Sequence, residues 1–500
     1  MNRRGLWIDS AIVFIAFALR VAWLDVKPAH FDEGVNGWFV DEMTRTGYYH
    51  YDPGNFHGPL HFYVLFVSQT LFGRNLWALR MPVAIVSTFC VAAVLAYRRY
   101  LPERACRLAA LAMAISPGCV FYGRYAIHES WQLLFMLAAM WGLAGMWKEG
   151  WRIHLWTAAM GFTGMVLTKE TYLIHCIALL LAAPALLLFE KIAPSAPFAS
   201  GARQWTNRDL DGPILASVLL IFFFYTGCLL DWSSLPGLFQ TFALWMNTGI
   251  QGAGQAKGWH YFIELIARYE WPALLGGIAV VGLAFRNTNR LARYLAIYGF
   301  GTLTAYSLIP YKTPWCVISI AWPFYFVFGY VTDRLLHWLD AWTVGVLTTI
   351  VTGCSLLASC LLNFRNYTDE DEPYVYVQTL PDIYKLLDPL HALTSRDSRN
   401  YQIAGHIITV DHHPLYWLLG DFTRIDIHDP GETPAGWDGA FLLIDASLAE
   451  TAEEKLTESY FKEPLRLRGN AGESEVLYLN AATFGFYFPG RKADIRAIAQ

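Results

Sequence analysis

Charge is what this chain has least of. Only 16% of its 500 residues are Asp, Glu, Lys or Arg, against 55% apolar and 16% aromatic. Soluble domains carry roughly a quarter charged residues, so this chain cannot coat a water-facing surface along its whole length. It also lacks any basic run, and its net charge is −4. Nucleic acid or another polyanionic partner is therefore not indicated. The eight cysteines (Cys90, Cys106, Cys119, Cys176, Cys228, Cys316, Cys354 and Cys360) contain no CxxC pair and no metal spacing. All lie in or beside apolar runs, where a thiol is ordinarily a small buried hydrophobe. No clear repeat and no low-complexity stretch is present, and the first apolar run has no small-residue cleavage site before Lys27. That run is expected to be a retained first helix rather than a signal peptide.

The charge deficit is uneven. From Met1 to about Asn363 long apolar runs alternate with short polar islands, and from Tyr367 to Gln500 charged residues return at soluble density. The fold class expected is an α-helical polytopic membrane domain over 1–365, followed over 366–500 by a small extracytoplasmic α/β domain. A span needs about 20 mainly apolar residues. Eleven candidates result: 6–24, 77–97, 105–122, 130–147, 153–168, 171–189, 213–230, 270–285, 292–309, 316–332 and 341–363. A twelfth run, Pro59 to Phe72, is short. Counting it as a span would put the basic clusters outside, so it is read as re-entrant or interfacial, with Pro59 at its first turn. Lys and Arg in excess mark the cytoplasmic side. With eleven spans that side holds Arg3 and Arg4; Arg98, Arg99, Arg104 and Arg107; Lys148 and Arg152; Lys191, Arg203 and Arg208; Arg286, Arg290 and Arg293; and Arg334. The amino terminus is then cytoplasmic and the tail outside, in a cell (inner) membrane.

This orientation gathers the unusual polar residues on the outer face. His30-Phe31-Asp32-Glu33-Gly34 opens a segment in which Val35, Trp38, Phe39 and Met43 recur at helical spacing, the pattern of an amphipathic helix on a membrane surface. Asp32 at its start is either a plain N-cap or a functional acid. Arg124 and His128 share a helical face, and Arg suits a phosphate. His128 and Glu129 are either a capping pair or part of a site. Lys169 and Glu170 fall at a corner between two nearly contiguous spans, where charges are expensive and either functional or mutually paired. Lys312, in Tyr311-Lys312-Thr313-Pro314-Trp315, either snorkels or binds an anion. His260 and Glu264 read as an interfacial contact. In the tail, strands are expected at Ile403–Val410 and Ala440–Ile444, with helices near Ile383–Leu393 and Ser447–Lys455. Asp411-His412-His413-Pro414 reads as a strand-end turn.

Taken in order, His30-Phe31-Asp32-Glu33-Gly34, Phe56-His57-Gly58-Pro59-Leu60, Leu79-Arg80-Met81-Pro82, Tyr122-Gly123-Arg124-Tyr125, Thr168-Lys169-Glu170 and Tyr311-Lys312-Thr313-Pro314-Trp315 resemble the GT-C membrane glycosyltransferases. The branch resembled is the protein mannosyltransferase-like and aminoarabinose transferase-like one, nearest the flippase-activity-associated family of N-glycosylation. The resemblance covers about 1–365. It implies transfer of a sugar from a polyprenyl-phosphate-linked donor to an acceptor glycan, lipid or protein on the extracytoplasmic side, by an inverting displacement. Asp32 would be the general base, with Glu33 beside it. Arg124, Lys169 and Lys312 would hold the donor phosphate, and His57 stands near the place of a phosphate-binding lysine that is absent here. His128, Glu129 and Glu170 occupy the second acidic motif. In oligosaccharyltransferases that motif helps hold a divalent cation; with one acid replaced by His, a cation on Asp32, His128 and Glu129 stays an open option. The alternative from another class is a flippase accessory or transporter that binds the same lipid without catalysis. A third is an outer-face polymerase or ligase.

Overall fold

The computed structural model describes residues 3–196, 205–252, 254–284, 288–410, 412–432, 434, 436–469 and 474–496. Arg203, Arg286 and Asp411 lie outside them. Sixteen helices precede the tail among these residues: α1 (Arg3–Val21), α2 (Phe31–Thr46), α3 (Leu60–Phe72), α4 (Leu76–Ala96), α5 (Glu103–Ile115), α6 (Pro117–Tyr122), α7 (Glu129–Lys148), α8 (Arg152–Val166), α9 (Tyr172–Glu190), α10 (Asn207–Tyr225), α11 (Gly237–Gln251), α12 (Tyr261–Tyr269), α13 (Trp271–Ala284), α14 (Arg290–Leu308), α15 (Val317–Trp338) and α16 (Ala341–Phe364). Each of the eleven expected spans falls on a helix. The run 105–122 is divided between α5 and α6, because Pro117 lacks the N–H an unbroken helix would need and Ser116 caps the second piece through Cys119 N.

Four of these helices are long and apolar enough to cross a membrane: Leu76–Arg99, Tyr172–Glu190, Pro314–Trp338 and Ala341–Phe364. The 13-residue α3 rises only about 20 Å at 1.5 Å per residue, short of the roughly 30 Å apolar core of a bilayer.

Helices α7 and α8 pack as a close antiparallel pair, and small residues are the reason. A Cβ on Gly142 would sit 2.4 Å from Ala158 N, and one on Gly161 would sit 2.5 Å from Ala139 N. On the same pair, a Cβ on Gly145 would meet the His154 ring at 2.2 Å, and one on Gly164 would meet Phe135 at 2.2 Å. Between apolar helices in lipid, close backbone approach of this kind replaces the hydrophobic drive that water would supply.

By internal contact the chain forms two compact units: Met1–Leu24 with Met43–Tyr367, and Asp25–Glu42 with Thr368–Gln500. The change in charge density near 365 therefore does not mark the whole division, since the first turns of α2 belong with the tail.

The tail carries helices α17 (Tyr384–Arg396), α18 (Leu415–Leu418), α19 (Ala449–Glu453) and α20 (Ala481–Phe484), and strands β1 (Ala404–Ile408), β2 (Arg424–His428), β3 (Phe441–Asp445), β4 (Tyr460–Leu465) and β5 (Glu475–Asn480). The sheet order is β2-β1-β3-β5-β4. β1 runs parallel to β2 and β3, while β5 runs antiparallel to β3 and β4. Phe441 and Leu443 face one core with Leu386 and Leu390 of α17. Leu442 and Ile444 face a second core with Ala452 of α19. A sheet covered on both faces reads as a continuous apolar run rather than an alternating one, and Phe441-Leu442-Leu443-Ile444 has that form.

Gly161→Val is expected to overpack the α7–α8 contact and cost about 1–3 kcal/mol. Gly353→Val, where an added Cβ would meet nothing within 4 Å, serves as the control. Thermal unfolding in detergent should show a lowered midpoint for the first and little change for the second.

Candidate functional site

Two sequence-distant motifs meet at the α8–α9 corner. Gly58 N donates to Thr168 O at 3.1 Å and Leu60 N to Leu167 O at 3.0 Å, so the segment entering α3 lies along the corner backbone. Only glycine fits: a Cβ at Gly58 would lie 2.2 Å from the Leu167 carbonyl carbon. This brings His57 Nδ1 to 2.8 Å from Glu170 Oε2. The His57 ring lies 4.4 Å from that of His128, which lies 4.3 Å from that of His61.

The charges pair across motifs rather than with their sequence neighbours. The Lys169 ammonium donates to Glu129 Oε1, with both side chains almost fully buried, while Glu170 takes His57. The mutual Lys169–Glu170 pair is not what forms, because adjacent side chains point in different directions while neighbouring elements supply opposite charges. Glu129 opens α7, where a carboxylate also meets the positive end of the helix.

Arg124 closes a helix end in this structure. Its Nη1 donates to Leu19 O (3.1 Å), Arg20 O (3.3 Å) and Ala22 O (2.6 Å), and its Nη2 to Trp23 O (2.7 Å). The last carbonyls of a helix have no partner within it, and a guanidinium with five donors in one plane closes the end of α1. Its side chain also lies over the Phe364 ring, 4.8 Å from the centroid.

Lys312 has a companion that the sequence reading passed over. The 255–258 segment runs antiparallel to 310–312, with a bridge between Ala256 and Tyr311 and bonds Lys257 N to Pro310 O and Lys312 N to Gln255 O. Lys257 Nζ then donates to Lys312 O at 2.7 Å, and Lys312 Nζ donates to Lys257 O at 3.2 Å and to Ile309 O. Lys312 is buried. Burial, then the Lys312 charge, pull the Lys257 pKa down from the ordinary lysine range to about 8. Lys312 itself stands five residues before α15, a 22-residue helix. Lys257 could have been found as one of two cations in an otherwise aromatic and apolar outer loop.

Asp32 and Glu33 belong to the other unit, in the first turn of α2. They divide the work of that turn. Glu33 is fully buried, and its Oε2 accepts from His30 N at 2.9 Å, the reach-back of a capping box. His30 Nε2 lies 2.8 Å from Tyr376 O and therefore donates to it, which leaves Nδ1 to accept from Asp32 N at 3.1 Å. That tautomer is neutral, and burial lowers the imidazole pKa accordingly. The Asp32 side chain keeps 34% of its surface exposed. Burial, followed by the Asp32 charge, raises the neighbouring Tyr376 phenol to about 12. The interfacial reading of α2 is modified here, since part of its surface is covered by the tail. Pro414 lies against Gly34 and Trp417 against Gly37.

Among the described residues no group of three or more His, Cys, Asp or Glu is arranged to hold a metal ion. Glu129 is engaged by Lys169, and His128 is packed between two imidazoles. His260 and Glu264 do pair, at 2.8 Å, on one exposed helical face.

The comparisons with known proteins agree with this architecture. Residues 56–202 match the family model described as Dolichyl-phosphate-mannose-protein mannosyltransferase, a stretch holding His57, Arg124, His128, Glu129, Lys169 and Glu170. No curated protein sequence matches the chain. Among solved structures, ArnT from Cupriavidus metallidurans bound to undecaprenyl phosphate superposes with a TM-score of 0.64 at 13% identity, covering 97% of this chain and 99% of that one. Its apo state gives 0.60 at 14% identity with the same coverage. The Archaeoglobus fulgidus oligosaccharyltransferase aligns at 0.49 and 13% identity, over 95% of this chain and 73% of that one.

Arg124→Gln should lower the thermal midpoint in detergent by uncapping α1; an unchanged midpoint would show that these bonds do not hold the helix end. The likeness first read from six short polar motifs is thus found in a mannosyltransferase family model over residues 56–202 and, across nearly the whole chain, in the GT-C fold.

Proposed function

We propose that this chain is a membrane glycosyltransferase that moves a sugar from a polyprenyl-phosphate-linked donor to an acceptor on the extracytoplasmic face of the cell membrane, its amino terminus cytoplasmic. The reading is carried by one observation, the reciprocal embrace of Lys257 and Lys312 beside the start of α15. Two ammonium groups held this close repel, so an anion that joins them relieves the repulsion as well as adding its own attraction. The helix end contributes partial positive charge. A lipid phosphate has the required chemistry, and the relative with the same fold was crystallised with undecaprenyl phosphate.

The transfer then balances as a single displacement. The acceptor's nucleophilic oxygen or nitrogen attacks the anomeric carbon and its proton passes to the Asp32 carboxylate. The bond from the anomeric carbon to the phosphate oxygen breaks, and its electron pair stays on the phosphate. A phosphodiester carries one negative charge and the released phosphomonoester approaches two. Cations at that oxygen are therefore worth more in the transition state than in the ground state, which is what accelerates a reaction. Lys257 and Lys312 fill this part. Lys169 is engaged by Glu129, and His57 is oriented by Glu170. Glu33 serves the fold of the turn and Arg124 the end of α1. Inversion at the anomeric carbon follows from one displacement.

Two experiments test the reading in protein reconstituted with a labelled polyprenyl-phosphate sugar and an acceptor extract. Asp32→Asn should lower transfer by about 10²-fold or more, the ordinary yield of a general base, with donor binding retained. Unchanged transfer would remove Asp32 from the mechanism, and lipid movement between leaflets without any glycosyl product would establish a transporter instead. Donor affinity should also fall as pH rises through about 8, where Lys257 loses its proton. The charged form dominates below that value, so the interaction is complete on the acid side and lost on the alkaline side. Lys257→Gln should weaken binding about tenfold at neutral pH, equivalent to about 1.4 kcal/mol, and abolish that alkaline limb.

A further inference from the structure

The helix that carries Asp32 is seated on the C-terminal unit by contacts that leave little freedom of rotation. Gly34 and Gly37 are three residues apart on α2 and so share one face. A Cβ at Gly34 would lie 2.4 Å from Pro414 Cα, and one at Gly37 would lie 2.5 Å from the Trp417 indole. Neither obstacle is the loose end of a flexible side chain. Phe31, one residue before Asp32, is held from two sides: the His413 ring meets it edge-on at 5.4 Å, and the Arg468 guanidinium lies 4.7 Å from its centroid. Arg468 Nη2 also donates to His413 O at 3.0 Å, tying the two holders together. Before the helix, His30 donates to Tyr376 O, and Gln378 Nε2 donates to Pro28 O at 3.1 Å.

Three stretches of tail, 376–378, 413–417 and Arg468, thus grip 28–37. Successive residues on a helix are 100° apart, so turning α2 by a single position would swing Asp32 through that angle. The two glycines prevent it, because only at their positions is the helix surface low enough to admit a proline and an indole. A displacement of about 1 Å in a reacting group can cost 10²-fold in rate, so a rigid seat has catalytic value.

We infer that the C-terminal unit is the positioning element for the general base, with Pro414 and Trp417 in the glycine notch of α2 and Arg468 on Phe31 fixing the direction of the Asp32 carboxylate. This rests on the reading of Asp32 as base and assigns the tail a part in the chemical step. Pro414, Trp417 and Arg468 are positioning residues, acting through α2.

A double-mutant cycle in the full-length reconstituted enzyme tests it. Gly37→Ala should lower kcat at least tenfold with the donor KM unchanged, because the added methyl meets the indole. In a Trp417→Ala background, itself reduced in kcat, the same Gly37→Ala change should have little further effect. Arg468→Gln, which leaves α2 intact and guards against failure of the Gly37 variant to fold, should also lower kcat at constant donor KM and near-constant thermal midpoint. Equal costs of Gly37→Ala in both backgrounds, or losses that appear in donor KM or only in the yield of folded protein, would overturn the inference. Asp32→Asn separates the two claims: full transfer in that variant removes the base reading itself, whereas its loss together with an uncoupled cycle removes only the tail's role.

Discussion

A lysine and a glutamate buried together, Lys169 and Glu129, set the terms for the polar site of the first unit. Neither ion could stay charged alone in so dry a place, and each lies at an element boundary where it cannot move without its helix. Glu129 begins α7 and Lys169 sits at the turn from α8 into α9, so their pairing ties that turn to the start of α7. The second pair, His57 with Glu170, does the same for the segment entering α3. Between the pairs, the hydrogen bonds from Gly58 and Leu60 to the corner carbonyls close the gap at backbone level. What results is a rigid rim in which opposite charges are already matched.

Against that neutralised rim, Lys257 and Lys312 stand out. Their ammonium groups are bonded to peptide oxygens and to each other's strand, an arrangement that positions positive charge and leaves it positive. On the proposed reading, the ion pairs of the rim are structural, and the two lysines are the cations that meet the donor phosphate. The lowered pKa of Lys257 comes first from its burial and then from the like charge of Lys312.

The acid follows another rule. Asp32 lies in a turn whose neighbours all have structural tasks: His30 bonds to the tail, Glu33 closes the capping box, and Gly34 makes room for Pro414. Asp32 alone among them keeps a partly exposed carboxylate. A functional group supported by committed neighbours is held more exactly than one on a free loop, and the glycine notch on α2 extends that support into the tail.

Much of this was legible from the residues. Hydropathy located the helices, because in lipid every backbone group must be satisfied within its own segment. Local patterning likewise gave α2, β1, β3 and α17. It missed β2, whose residues are only partly covered, and the neighbouring strands β4 and β5, which pair with each other. The polar motifs pointed to the right residue types, but not to their partners. Whether Lys169 met Glu170 or Glu129, which carbonyls Arg124 would reach, and that Lys257 would join Lys312, were decided by tertiary structure. The physical reason is range. Propensity and burial act within a turn or a span and are written locally, whereas an ion pair or a glycine contact depends on which distant element arrives at that spot.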